Sequence, residues 1–135
     1  MKLPESVRNA FVKHARETAP KEACGLLGGR EGDPPVVLES IRTPNVAADP
    51  THRFEIDPAA LLKGQESFEA AGHSLLGFYH SHPAGPPTPS ETDRGGAAWP
   101  NTTVLIVSLG GPGPELGAFW DTGDRFQPVP LEPVE

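Results

Sequence analysis

A single α/β domain, with a mixed central β-sheet flanked by helices, is what the sequence of this 135-residue chain predicts. Three observations carry the prediction. Residues 4–18 and 58–71 repeat apolar side chains at helical spacing, and short apolar or β-branched runs lie between and after them. The 17 prolines and 15 glycines cut the remainder into tight loops with little slack. A chain of this length can bury one core of helices against a sheet. No internal repeat or shift in composition divides it, so residues 1–135 are expected to form one domain.

The elements follow in order. Residues 4–18 place Val7, Ala10, Phe11 and Ala15 on one helical face, and Pro20 closes the helix. Residues 24–27 and 36–41 read as strands joined through Gly28, Gly29 and the turn at Gly32-Asp-Pro-Pro35. A loop over 42–52 leads to a short strand at 54–56. Pro58 opens a second helix, which runs to residue 71 and stops at Gly72. Residues 74–82, Ser-Leu-Leu-Gly-Phe-Tyr-His-Ser-His, are an apolar, aromatic-bearing run stopped by Pro83, and they read as a buried strand. After the stiff loop 83–89, Ser90 looks like the N-cap of a helix running toward Trp99. Residues 103–108 are an apolar, β-branched run expected as a central strand, and 115–120 follow as another. Residues 125–135 hold three prolines and are at best an edge strand with a loose tail.

The chemistry concentrates at the end of the 74–82 strand. His80 and His82 begin the pattern H-x-H-x7-S-x2-D, completed by Ser90 and Asp93. At the chain's own frequencies of these residues, the pattern arises by chance in roughly four of ten thousand such chains. Residues i and i+2 of a strand share a face, so the two imidazoles project together beside Phe78 and Leu76. Zinc takes nitrogen ligands at about 2.0–2.1 Å in a tetrahedral set, and a catalytic zinc has three protein ligands plus water. Asp93, in the first turn of the site helix, is the natural third ligand beside His80 and His82. A plainer reading competes. Ser90-Glu-Thr-Asp93 fits a helix cap, and two histidines can be ordinary polar residues at a strand end. Neither histidine would be read as a ligand by itself; the four residues together reverse the weighting. The two roles of Ser90 are compatible, since a hydroxyl can accept a backbone N–H and still donate its own proton.

These residues resemble the JAMM, or MPN-plus, metalloproteases, whose signature is an upstream glutamate followed by H-x-H-x7-S-x2-D. The upstream element has its counterpart in Pro20-Lys-Glu22-Ala-Cys-Gly-Leu-Leu-Gly-Gly29, and the similarity runs from about residue 5 to 120. The resemblance implies an MPN, cytidine-deaminase-like fold of the compact prokaryotic type, since the chain is too short for the insertions of eukaryotic relatives. It also implies zinc-dependent hydrolysis of the amide after the C-terminal glycine of a ubiquitin-like or sulfur-carrier protein ending in Gly-Gly. In that scheme one zinc per chain activates water, Glu22 is the general base and Ser90 polarises the intermediate. Two alternatives stand beside it: a zinc hydrolase acting on a small amide or amidine, and an inactive scaffold of the same fold. Against a deaminase, the H-x-E and P-C-x-x-C signatures are absent and Cys24 is the one cysteine. A scaffold would be favoured by a missing ligand, and none is missing.

Composition narrows the partners. A formal net charge of −7 argues against nucleic acid, which needs a basic patch. No secretory signal opens the sequence and no apolar run approaches a membrane span, so a cytoplasmic, membrane-free protein is expected. The single cysteine agrees with a reducing compartment. Cys24 reads as a small buried residue rather than a nucleophile, and Gly28-Gly29 lacks the Lys-Ser/Thr of a phosphate loop. His14 and His73 are expected at the surface, while His52 lies in a loop where a place near the site mouth is the less frequent reading. Glu22 by residue type alone would be one more surface carboxylate.

Overall fold

The computed structural model describes residues 1–95 and 99–134. The chain runs β1 (Lys2–Pro4), α1 (Glu5–Thr18), β2 (Cys24–Arg30), β3 (Val36–Thr43), α2 (Pro58–Ala70), β4 (Ser74–His82), α3 (Glu91–Gly95), β5 (Thr102–Ser108), β6 (Glu115–Asp121), β7 (Phe126–Pro128) and β8 (Glu132–Val134). The strands form one mixed sheet in the order β7-β6-β5-β4-β2-β3-β1-β8. β4 runs antiparallel to β2 and parallel to β5, so the strand that ends in the histidines is hydrogen-bonded on both sides.

Alternation along the central strands divides the core in two. Leu27 and Tyr79 pack with Phe11, Val12 and Ala15 of α1, together with Leu105 and Val107. Their neighbours Leu26 and Phe78 point the other way and meet Phe68 of α2. The helices therefore cover opposite faces, as period-two alternation requires. Tyr79 also ties β4 to α1. Its ring stacks on Phe11 at 5.3 Å, and its hydroxyl is hydrogen-bonded to Nδ1 of His14 at 2.7 Å. Burial lowers the His14 pKa and raises that of Tyr79, so the pair is a neutral imidazole and a neutral phenol.

Several expectations need correcting. His14, expected at the surface, is buried through this contact, and His73 is half-buried against Glu39. β2 continues through Gly28 and Gly29 instead of turning there, because both glycines let other groups approach: Cβ atoms on them would lie 2.5 Å from the Phe68 ring and 2.0 Å from the Val36 carbonyl. Leu76 packs with Tyr79, not with Phe78 and the histidines. The β2–β4 register shifts between Leu27 and Gly28, and a one-residue slip sends side chains to the opposite face. The strand expected at 54–56 is a single bridge between Ile56 and Asn45. The C-terminal segment pairs at both margins of the sheet, β7 beside β6 and β8 beside β1, and β1 itself was not foreseen. Three residues are too few to show a sequence period. The site helix is described over Glu91–Gly95, and its expected continuation over 96–98 lies outside the described residues.

The close seating of α2 on β2 gives a prediction. Gly28→Ala would drive its methyl into Phe68, an overpacking that should cost about 1–3 kcal/mol. Urea unfolding of the two proteins checks it, and an unchanged midpoint would show that α2 shifts without cost.

Candidate metal centre

Four side chains converge at the end of β4. One ligand-type atom from each of Glu22, His80, His82 and Asp93 lies within 4.8 Å of the others. They come from three places in the chain. Glu22 stands just before β2, the histidines end β4, and Asp93 sits in α3. The pairing Cys24↔His80 puts the start of β2 beside the end of β4, which is what carries Glu22 to the histidines. The peptide after Glu22 is pinned there, with Ala23 N–H donating to Ser81 Oγ at 2.7 Å and Ser81 N–H to Ala23 O at 3.0 Å.

Asp93 arrives through its helix cap. Its N–H donates to Ser90 Oγ at 3.0 Å, and Ser90 N–H donates back to Asp93 Oδ2 at 2.9 Å. This is a reciprocal cap with Asp in place of Glu. The same Oδ2 lies 3.1 Å from His80 Nε2 and 3.0 Å from His82 Nε2, and the two nitrogens are 3.2 Å apart. The cap formed by Ser90 and Asp93 is thus the same arrangement that turns Asp93 Oδ2 toward both imidazoles.

The donor set fits a metal ion. Tetrahedral ligands at 2.0–2.1 Å stand about 3.3–3.4 Å from one another, close to the separations found here. Protonation states point the same way. His82 Nδ1 is 2.7 Å from the Pro86 carbonyl, which can only accept, so the proton of a neutral His82 is on Nδ1 and its lone pair is on Nε2. That lone pair faces the oxygen of Asp93, and a cation between them turns the repulsion into attraction. The Pro86 carbonyl is itself held in place: Ser108 Oγ donates to Gly85 O, and Pro87 O fills the space that a Cβ on Gly117 would take. His80 is 1 % exposed and stacks on Phe54 at 4.3 Å, while its Nδ1 has no hydrogen-bond partner among the described residues.

Electrostatics separates the four groups. Burial opposes ionisation of Asp93, but where protons instead of a cation sit on the facing nitrogens, hydrogen bonds from His80 and His82 outweigh it and hold the carboxyl well below the usual range. His82 is raised despite burial, through Asp93, and His80 is lowered by burial. Glu22 behaves otherwise. Burial pushes its carboxyl up to about 7, His82 opposing the rise and Asp93 adding to it. The residue is 5 % exposed, and its Oε1 has no hydrogen-bond partner among the described residues. The surface carboxylate that residue type suggests is therefore a buried one.

Other candidates fall outside the cluster. His52 is exposed and bonds Asp49 and Thr51 in its own loop. Cys24 is fully buried, with a thiol raised by burial to about 11, as a packing residue should be. Phe54 and Pro86 were not singled out in the sequence. A carbonyl carries no residue-type signal, and an aromatic residue opening an expected short strand reads as ordinary packing.

Residues 4–122 match the family model described as prokaryotic homologs of the JAB domain. The chain is 40 % identical over 131 residues to a desampylase of Haloferax volcanii, covering 94 % of this chain and 91 % of that one. It is 44 % identical over 108 residues to a probable TtuB-protein conjugate cleaving protease of Thermus thermophilus, covering 80 % and 70 %. It is 38 % identical over 105 residues to a CysO-cysteine peptidase of Mycobacterium tuberculosis, covering 77 % and 70 %. Among solved structures, a protein from Desulfitobacterium hafniense superposes with a TM-score of 0.91 at 32 % identity, covering 99 % of this chain and 92 % of that one. With a matching family model over most of its length and relatives of this identity, the chain belongs to the prokaryotic JAB-domain family.

Proposed function

We propose that this protein is a zinc-dependent peptidase or isopeptidase that hydrolyses the amide after the C-terminal glycine of a ubiquitin-like or sulfur-carrier protein. The observation that carries the reading is the convergence of Glu22 on His80, His82 and Asp93, with Glu22 buried and its carboxyl raised to about 7. The relatives' names, which speak of conjugate cleavage and of a cysteine adduct, supply the substrate class. Among the described residues no helix is long and apolar enough to cross a membrane. A cytoplasmic setting, with residues 1–135 working as one domain, completes the proposal.

His80 Nε2, His82 Nε2 and Asp93 Oδ2 would hold the ion, with Pro86 O keeping the His82 lone pair turned inward. Zinc, when bound, supplies Lewis-acid polarisation of the scissile carbonyl and of water. Glu22, whose carboxylate lies beside the three ligands, takes the proton of the attacking water and passes it to the departing amine. The Ser90 hydroxyl accepts from Asp93 N–H and has its own hydrogen left to donate to the oxyanion of the tetrahedral intermediate. Glycine at the cleaved position removes the Cβ that would collide where the substrate backbone must come close to the ion.

The metal is checked first. The purified protein should carry about one zinc per chain, and Ala at His80, His82 or Asp93 should abolish it, because three ligands leave no redundancy. Full occupancy of His82→Ala by elemental analysis would refute the ligand set.

Glu22→Gln should keep zinc and lose roughly two to four powers of ten in rate, and Ser90→Ala roughly two to three. The same substitution has a second signature without metal. A carboxyl raised from its ordinary 4.5 to about 7 by folding contributes stability below the unfolded value, and this is lost as pH rises through the folded one. Metal-free Glu22→Gln should therefore gain about 1–2 kcal/mol over the unaltered protein above pH 7, allowing for solvent screening, and nothing below about pH 4.5. Denaturant midpoints at the two pH values decide it.

Substrate choice is tested with a ubiquitin-like protein joined through its C-terminal glycine to a lysine side chain, an α-amine or cysteine, beside the same conjugates ending in Ala-Ala. Gly-Gly conjugates should be cleaved at least about tenfold faster. Equal rates, or similar rates on unrelated peptides, would overturn the substrate assignment while leaving the zinc chemistry standing.

A further inference from the structure

The loop between β3 and α2 is tied together by one side chain. Asn45 donates from Nδ2 to the carbonyls of Glu22 and Arg53, both at 3.0 Å, and more weakly to Pro50 at 3.5 Å. Its Oδ1 accepts from the N–H groups of Ala47 and Glu55, both at 3.1 Å. Carbonyls only accept and peptide N–H groups only donate, so the amide has a single workable orientation. The acceptor half closes the loop on itself. The donor half also reaches out of the loop to Glu22.

Glu22 is gripped on both sides of its Cα. Its carbonyl meets Asn45, and its N–H donates to Pro50 O at 2.8 Å. Its carboxylate, by contrast, has a buried Oε1 without a hydrogen-bond partner among the described residues. No hydrogen bond at that oxygen sets its direction, so its aim derives from the backbone that carries it. Asn45 further brackets Phe54, bonding the carbonyl before it and the N–H after it, and Phe54 is the ring that stacks on His80.

We propose that Asn45 is the positioning residue of this site, aiming Glu22 through its main chain and holding Phe54 against His80. The inference rests on Glu22 acting as the proton carrier. A displacement of about 1 Å in a catalytic group can cost roughly a hundredfold in rate, so a contact that touches no substrate can govern the reaction.

Two variants test it in the zinc-loaded protein. Asn45→Asp keeps acceptors for Ala47 and Glu55 and removes the donors to Glu22, and Asn45→Ala removes both halves. Both should retain zinc. Hydrogen exchange at the Glu22 amide should quicken by about tenfold or more, while the Ser81 amide, bonded to Ala23, stays protected. On the Gly-Gly conjugate kcat should fall roughly 10–100-fold with KM within about threefold. Combined with Glu22→Gln, Asn45→Asp should cost clearly less than it does alone, because the part of its effect that passes through Glu22 is already removed. Unchanged exchange at Glu22 in both variants, a loss confined to KM, or losses that multiply in the double variant would each overturn the proposal. If the unaltered protein cleaves no Gly-Gly conjugate, the proposed function fails, and exchange at Glu22 alone decides the role of Asn45.

Discussion

Three electron-rich atoms, Nε2 of His80, Nε2 of His82 and Oδ2 of Asp93, stand 3.0–3.2 Å apart where little solvent reaches. Lone pairs this close repel unless a proton or a cation lies among them, and burial removes the water that would screen them. The surrounding structure supplies the means to keep them together. β4 is paired on both sides, so its end cannot fray away from Glu22 or from the proline loop. The loop hands its Pro86 carbonyl to His82, and Ser90 returns a peptide N–H to Asp93.

The same crowding separates the two carboxylates by charge. Asp93 receives a peptide N–H and lies against two imidazoles, so its charged form is favoured despite burial. Glu22 lies as deep with no hydrogen bond at Oε1, and its charged form is disfavoured until near neutrality. Two chemically alike side chains are set apart by environment, the kind of division by which one site could hold a cation and also move a proton.

Support for the site also comes from residues with no reactive chemistry. Gly117 leaves room for the carbonyl of Pro87, and Ser108 clasps Gly85, so the loop that orients His82 is set by β5 and β6. Ser81, between the two histidines on the opposite face of the strand, binds the peptide that follows Glu22. A site assembled this way depends on sheet register. The slip at Leu27/Gly28 inverts Leu76 but lies before Phe78, so Phe78, His80 and His82 keep their common alternation.

By itself the sequence determined the main helices, most of the long strands and the pattern that brings two histidines and an aspartate together, because each is written in local spacing. Helical recurrence marks α1 and α2, an apolar run stopped by proline marks β4, and i, i+2 with a capped turn brings His80, His82 and Asp93 within reach. It could not show β1, β7 or β8, three-residue pairings made only by distant partners, nor that His14 is buried against Tyr79. Glu22 marks the boundary between the two kinds of information. Its letter could be read in a family-like segment, but its burial and its raised pKa arise only when β2 closes beside β4 and the 44–57 loop grips its peptide. Desolvation and orientation depend on everything that surrounds a group, and only the tertiary structure brings those surroundings together.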